Sequence, residues 1–119
     1  MYYGIYNTIS RNSKESHGIK TNRTVHVKNV YIHDNVSQGA SIHDLCTLRY
    51  VFSSRNGESG IEIQGDSILL ENCVTYANTQ YGIKTDEDTW DHLIIRKCEA
   101  FNNVFDGITI FGVDYVVIE

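Results

Sequence analysis

The sequence predicts an all-β protein, a right-handed single-stranded parallel β-helix of about five turns, and three observations support this prediction. The dipeptide Gly-Ile, once Gly-Ala, returns at intervals of 21, 21, 22 and 25 residues. An asparagine recurs at a fixed distance before it, and apolar residues alternate with polar ones in between. The repeats begin at Gly18, Gly39, Gly60, Gly82 and Gly107. Because one turn cannot bury its own apolar face, we expect the turns to stack and share a core.

Each repeat has the same internal order. The glycine opens a short strand, as in Gly60-Ile61-Glu62-Ile63, and an asparagine precedes the glycine by four residues in every repeat after the first. These asparagines are Asn35, Asn56, Asn78 and Asn103. A side-chain amide both donates and accepts a hydrogen bond. We therefore expect an asparagine ladder, with one residue per turn and a left-handed backbone at each.

A longer strand precedes each asparagine. Its apolar positions alternate with polar ones, which is typical of a strand with one buried face. The predicted inward positions are Val27, Leu48, Leu70 and Ile95, followed three residues later by Val30, Val51, Cys73 and Cys98. A leucine-rich repeat has a similar period, but the chain lacks the signature of that family and any helical spacing of apolar residues, so this class is excluded.

The composition fits one domain, residues 1–119, and excludes several functions. The ten Lys and Arg residues are scattered along the chain and the formal net charge is −5, so no basic face for nucleic acid is predicted. No apolar run approaches the roughly 18 residues of a membrane span. The three cysteines show no zinc spacing, and we interpret them as core residues. Among them, Cys73 and Cys98 are predicted to be a stacked pair of buried thiols.

A family resemblance follows from the repeat itself. The pattern I-x-N-C-x-V-x-x-x-N-x-x-x-G-I-x-I, found at 70–83 and 95–110, resembles the repeat of the pectate-lyase-like β-helix superfamily, and the resemblance covers nearly the whole chain. It implies the fold and leaves the activity open, because that superfamily includes lyases, hydrolases, epimerases and phage tail spikes. The epimerase branch usually has an Asp-Pro-His element, which a chain without proline cannot contain.

The termini fall within predicted long strands. Residues 5–8 match 27–30, and residues 115–119 match 67–71. Neither end carries a cap, so we expect an uncapped fragment of a longer solenoid, with end-to-end self-association as a hazard. The resemblance to phage spikes implies a trimer as one form of the parent protein.

Functional groups are predicted on the outward positions of the short strands and the loops after them. Three interpretations stay open. The first is a solvated surface in which Glu62 and Lys84 form an ion pair. The second is a Ca²⁺ site formed by Asp66, Asp86 and Asp88. The third is glycoside hydrolysis by Glu62 paired with Asp86 or Asp44, because two carboxylates about 5 to 9.5 Å apart can perform that reaction.

Two resemblances bear on catalysis. Among lyases of the superfamily the expected base is a Lys or Arg near bound Ca²⁺, and Lys84 or Arg49 are the candidates here. The segment Ser16-His17-Gly18-Ile19 is similar to the G-H-G-I element of the polygalacturonase family, with Ser16 in place of its first glycine. Because the paired aspartates and the R-I-K element of that family are missing, we interpret His17 as a turn residue.

Aromatic residues at outward positions suit a glycan, because sugar rings stack on aromatic faces. They are Tyr76, Tyr81, Phe101, Phe105 and Phe111. Trp90 lies in the longest insertion, which is where solenoids commonly place binding loops. We predict Trp90, His43 and Arg49 as substrate-binding residues.

The sequence thus favours a segment of an extracellular or virion-borne β-helix protein that acts on polysaccharide. A lyase, a hydrolase and a tail-spike depolymerase remain open, and the segment would supply scaffold and part of a glycan-binding groove. The alternative is a non-catalytic structural or adhesive β-helix. No nucleic acid or membrane partner is expected, and Ca²⁺ is the one cofactor considered.

Overall fold

The computed structural model describes residues 3–11, 17–86, 90–111 and 113–119. These residues form parallel strands in two sheets, stacked as a β-solenoid of about five turns, and this confirms the predicted fold class. In the described ranges no helix has the length and apolar character needed to cross a membrane.

Each turn contributes to both sheets. The larger sheet contains β1 (Tyr3–Tyr6), β2 (Ile9–Arg11), β4 (Val25–His33), β6 (Thr47–Ser54), β8 (Ile68–Glu71), β9 (Val74–Tyr76), β11 (Trp90–Arg96), β12 (Glu99–Phe101) and β14 (Val113–Ile118). The smaller sheet contains β3 (Ile19–Lys20), β5 (Ala40–Ile42), β7 (Ile61–Ile63), β10 (Ile83–Thr85) and β13 (Ile108–Thr109). Strands one turn apart in the chain are therefore hydrogen-bonded neighbours.

The register follows the repeat. Ile61 pairs with Ala40 on one side and with Ile83 on the other, so the residue after each repeat glycine lies in one column. Ile5 pairs with Val27, as the sequence match of these segments predicts. The buried side chains of both sheets form one apolar core. Its members are Ile19, Val27, Val30, Ile32, Ala40, Ile42, Cys46, Leu48, Val51, Ile61, Ile63, Ile68, Leu70, Cys73, Ile83, Leu93 and Ile95.

The turns at the ladder positions differ from the prediction. We expected the asparagines to adopt the left-handed conformation, but the residue before each of them does so. These preceding residues are Asp34, Arg55, Ala77 and Asn102, and their φ values lie between 52° and 57°. The prediction was wrong because the asparagine side chain points inward and is occupied by hydrogen bonds, so the corner itself is made one residue earlier.

Amide hydrogen bonds connect the four asparagines. Asn35 Nδ2 donates to Asn56 Oδ1 at 3.1 Å, and Asn56 Nδ2 donates to Asn78 Oδ1 at 2.9 Å. Asn78 Nδ2 donates to Asn103 Oδ1 at 3.0 Å. Each of these Oδ1 atoms also accepts the backbone N–H of the asparagine one turn earlier. The buried corner therefore has its polar groups satisfied along the solenoid axis.

Two cysteines interact within the core. All three cysteines are free thiols; Cys46 and Cys73 are buried, and Cys98 is partly buried against the core. A hydrogen bond between the thiols lowers the pKa of Cys98, and the same bond, with burial, raises the pKa of Cys73. Of these two thiols, Cys98 is therefore the one that ionises more readily, and it is also the more accessible one.

We expect Cys98 to be the first cysteine alkylated by iodoacetamide in the folded protein. The alkylation rate of Cys98 should rise at a lower pH than the rate of an ordinary thiol, whose pKa is about 8.5, because the pKa of Cys98 is lowered. Cys46 and Cys73 should react slowly because they are buried. Mass spectrometry of labelled peptides across pH 6 to 9 measures this, with urea-unfolded protein as the control. Earlier labelling of Cys46 would contradict the prediction.

Candidate functional site

A groove lies over the first half of the long strands. It has a volume of about 260 Å³, and its lining residues are Tyr6, His26, Val27, Lys28, Thr47 and Arg49. The register aligns Tyr6 with Lys28 and Lys28 with Arg49, so three successive turns contribute to it. Val27 is buried and its neighbour Lys28 therefore faces outward. The groove is lined by one imidazole, one ammonium and one guanidinium group.

The positive charges of this groove are only partly neutralised. Arg49 Nε lies 3.4 Å from Glu71 Oε1, and 43% of the Arg49 side chain is exposed. Glu71 also lies 3.6 Å from Arg96 Nη1, and Arg96 Nε lies 2.8 Å from Glu119 Oε2, so these two guanidinium groups have two carboxylates between them. Lys28 forms no salt bridge with any described residue. Because like charges on adjacent strands repel, an anion between Lys28 and Arg49 would stabilise both.

Glu62 lies on the other sheet. Its register partner on the next turn is Lys84, as predicted for the outward column. Glu62 is nevertheless only 6% exposed, because two glutamine side chains cover it. Gln38 Nε2 donates to Glu62 Oε2 at 2.7 Å, and Gln64 Nε2 donates to Glu62 Oε1 at 2.9 Å. The Lys84 ammonium instead lies 5.7 Å from the centroid of the Tyr81 ring, so the predicted ion pair is not formed.

His43 and Asp86 lie in the column beside Glu62. Both are half-buried, and each follows a short strand by one residue, after β5 and β10 respectively. The His43 N–H donates to Thr21 Oγ1 at 3.1 Å, and the Asp86 N–H donates to the Ile63 carbonyl at 3.0 Å. The Nδ1 atom of His43 is buried and has no hydrogen-bond partner among the described residues.

The acidic residues of the loops have a structural role. Asp44 Oδ1 accepts the backbone N–H of Asp66 at 2.9 Å, which fixes the loop of one turn to the loop of the next. Asp88 lies outside the described residues. Among residues that are described, no three His, Cys, Asp or Glu side chains form a group suited to a metal ion. The Ca²⁺ site with Asp66, Asp86 and Asp88 stays a prediction.

Aromatic side chains pair between neighbouring turns. The Tyr76 and Phe101 rings stack with centroids 5.3 Å apart and planes 5° apart. Tyr81 and Phe105 pack edge to face at 5.3 Å. Both pairs lie close to the asparagine corner, Tyr76 before Asn78 and Tyr81 after it.

A polar network lies on the second half of the long strands, and we call it the tyrosine–arginine cluster. Its members come from three successive turns and are Tyr31, His33, Asp34, Ser54, Arg55 and Tyr76. The hydroxyl groups of Tyr31 and Tyr76 are hydrogen-bonded at 2.9 Å, and the Tyr31 hydroxyl is 3.3 Å from Ser54 Oγ. Arg55 donates from Nε and Nη2 to the two oxygens of Asp34, both at 3.1 Å.

The ionisation of this cluster reflects these contacts. The Arg55 guanidinium, helped by His33, lowers the pKa of Asp34 to about 2, and Asp34 in turn raises the pKa of Arg55. Hydrogen bonds from Ser54 and Tyr76, with the nearby Arg55, lower the pKa of Tyr31. Asp34 and Arg55 are therefore both charged at neutral pH and compensate each other.

Comparison with known proteins addresses the fold. The family model described as "Right handed beta helix region" matches residues 19–119. The chain belongs to the right-handed β-helix family. A crystal structure of the periplasmic alginate epimerase AlgG is similar, with a TM-score of 0.72 and 21% sequence identity over 98% of this chain. The chain spans 27% of that protein. No curated protein matches the sequence.

In this β-helix the predicted site residues divide between the two sheets. Glu62, Lys84, Asp86 and His43 belong to the smaller sheet and its loops, and among them Glu62 and Lys84 are register partners on adjacent turns. Arg49 and Trp90 belong to the larger sheet. Trp90 is the first residue of β11 and pairs with Val113, so it begins a strand after the insertion.

Two sets of residues in this β-helix were not predicted from the sequence as parts of a site. His26 and Lys28 line the groove next to Arg49, and the signal for them was present, since both alternate with buried residues of β4. In the tyrosine–arginine cluster, Arg55 lies at a corner whose residue type changes from turn to turn. No periodic pattern marks such a position.

Proposed function

We propose that this chain is a segment of a carbohydrate-active β-helix protein and that its basic groove binds an acidic polysaccharide. The supporting observation is that the groove brings Lys28 next to Arg49 in a chain whose overall charge is negative, and that Lys28 has no salt-bridge partner among the described residues. Carboxylate or sulfate groups of a polymer would supply the missing negative charge. The similar structure is that of an alginate epimerase, a protein that acts on a polysaccharide.

The groove follows the stacking direction, which suits a polymer. Outward residues recur at about 4.8 Å per turn, so a sugar chain lying along the solenoid would meet one row of side chains after another. Tyr6 adds an aromatic ring to the wall of the groove. An extracellular location, with the virion surface as the alternative for a tail spike, is part of this proposal.

Catalysis is a separate part of the proposal. For a hydrolase the two carboxylates would be Glu62 and Asp86, and for a lyase the base would be Lys84 or Arg49. A substrate would have limited access to the first of these carboxylates, because Glu62 is 6% exposed and both its oxygens accept amide hydrogen bonds. A glycan would have to displace Gln38 or Gln64 to reach it.

A depolymerisation screen with and without Ca²⁺ tests the reaction type. Product size and the ultraviolet absorbance of unsaturated sugars would be followed on acidic and neutral polysaccharides. An unsaturated product indicates a lyase, and cleavage without it indicates hydrolysis. Binding without cleavage, by this chain and by its parent, would leave the adhesive β-helix as the function.

We expect Arg49→Gln to weaken binding of an acidic polysaccharide about tenfold, because a charge-assisted contact contributes roughly 1.5 kcal/mol or more. Affinity electrophoresis or calorimetry at low salt measures this. The matched control is Arg96→Gln, which removes the same charge at an aligned position outside the groove. Equal loss in both variants would show general electrostatics and contradict a binding site at the groove.

A further inference from the structure

We infer that the tyrosine–arginine cluster is a second sugar-binding site and that it takes a neutral sugar residue. This inference rests on the proposed function, in that the ligand is a glycan, but it concerns a different surface. The cluster occupies the second half of the long strands, whereas the groove occupies the first half. Positions 29, 50 and 72, where φ is 53° to 55°, bend the strands between the two surfaces.

The cluster is held in one conformation. The Tyr31 hydroxyl is hydrogen-bonded to Tyr76, two turns away, and it also lies 3.3 Å from Oγ of Ser54, the small, buried residue that is aligned with Tyr76 on the intervening turn. Asp34 fixes the Arg55 guanidinium through two hydrogen bonds at 3.1 Å. Side chains already ordered in this way lose less conformational entropy when a ligand binds.

The ordered groups of the cluster are accessible to solvent. About half of the Arg55 side chain (49%) and 41% of the Asp34 side chain are exposed. Arg55 has five N–H donors and uses only some of them on Asp34. Asp34 Oδ2 also contacts His33 Nδ1 at 2.5 Å, but Asp34 Oδ1 has only Arg55 Nε as a partner among the described residues and keeps a further lone pair. A donor and an acceptor thus face solvent side by side, which is the arrangement that two adjacent sugar hydroxyl groups require.

The two exposed charges of the cluster cancel, because Asp34 and Arg55 are both ionised and paired. His33 Nδ1 lies 2.5 Å from Asp34 Oδ2, and its side chain is only 14% exposed. A sugar carboxylate would be attracted by Arg55 and repelled by Asp34 at a similar distance. A neutral sugar would gain hydrogen bonds to charged groups, which are stronger than those between neutral groups, with no such penalty. The cluster therefore favours hydroxyl recognition.

Aromatic faces flank the polar centre of the cluster. The Tyr76 ring stacks on Phe101, and Phe52 is 40% exposed one turn after Tyr31. The Tyr31 and Phe52 ring centroids are 6.5 Å apart. Rigid aromatic rings beside fixed polar groups offer a sugar both an apolar face for its C–H groups and hydrogen-bonding partners at its edge.

The test is a titration with neutral oligosaccharides. Oligomers of β-glucan, α-glucan, xylan, mannan and galactan would be added to the protein, and to Arg55→Asn, with affinities from NMR shifts of the Tyr31 and Tyr76 rings. Asparagine tolerates the left-handed backbone of Arg55, whose φ is 52°. Lys97→Asn is the matched control, since Lys97 is exposed, positively charged and has the same φ of 52°.

We expect one neutral oligomer to bind, Arg55→Asn to lose at least tenfold in affinity, and Lys97→Asn to bind like the unchanged protein. Tyr31→Phe should also bind more weakly while keeping its ring. No binding by any neutral oligomer, or equal losses in Arg55→Asn and Lys97→Asn, would overturn the inference.

The Arg49→Gln variant distinguishes the two surfaces, because it should weaken binding of the acidic polymer and leave binding of the neutral oligomer unchanged. If the acidic polymer fails to bind and a neutral one still responds to Arg55→Asn, the groove proposal fails and this inference stands.

Discussion

Replacing Asn56 by alanine should lower the free energy of unfolding by about 3 kcal/mol, because buried polar groups would lose their partners. Asn56 is 1% exposed, and its Oδ1 accepts both the N–H and the Nδ2 of Asn35 at 3.1 Å. Its Nδ2 donates to Asn78 Oδ1 at 2.9 Å and to Ser53 Oγ at 3.1 Å. Alanine supplies none of these groups.

Chemical denaturation followed by circular dichroism measures this loss. Asn22→Ala is the control, since Asn22 is exposed and the same change there should cost no more than about 0.5 kcal/mol. Similar losses in the two variants would mean that the ladder contributes little beyond a surface asparagine.

Replacing Gly39 by alanine should cost about 2 to 3 kcal/mol, because the added methyl group has no space. A Cβ at Gly39 would lie 2.1 Å from Ser53 Oγ, 2.6 Å from the Gly60 carbonyl oxygen and 2.7 Å from Asn56 Nδ2. Ser53 could rotate, but the backbone of the next turn could move only if the stacking distance changed. The repeat glycine is thus required for close approach between turns.

Gly107→Ala provides the matched control at the same column of the repeat. There the nearest atom to an added Cβ is the Ala100 carbonyl oxygen at 3.1 Å, so a small shift relieves the contact. We expect a cost of at most about 1 kcal/mol at this position. Thermal unfolding of both variants measures the difference, and a larger loss in Gly107→Ala would show that close approach between turns is not what selects glycine.

The sequence predicts the fold well because the repeat encodes contacts between turns. Gly60 and Asn56 recur at constant offsets since each must fit the same residue one turn away, and such a constraint leaves a periodic trace. The left-handed residue before each asparagine leaves no such periodic trace in the sequence. Asp34, Arg55 and Ala77 all occupy it, so the residue type carries no signal and the turn was expected one position too late.

The candidate sites were harder to predict because they depend on side chains that cross between turns. Glu62 was expected to be an accessible carboxylate, but Gln38, which lies 24 residues earlier in the chain, covers it. Lys84 pairs with Glu62 in one of the three interpretations of the sequence, but in the structure it lies over Tyr81. The alternation of inward and outward residues along a strand predicts the direction of a side chain, but it does not predict which other side chains cover it.

The hydrogen bond between Tyr31 and Tyr76 has a consequence for folding. A solenoid in which each turn contacts only its neighbours unfolds as a one-dimensional chain of units, and its ends fray independently of its middle. This bond joins residues 45 positions apart, from the turn before Ser54 to the turn after it. It couples second-nearest units, so the three central turns should open together in hydrogen exchange, as one cooperative block between less protected ends.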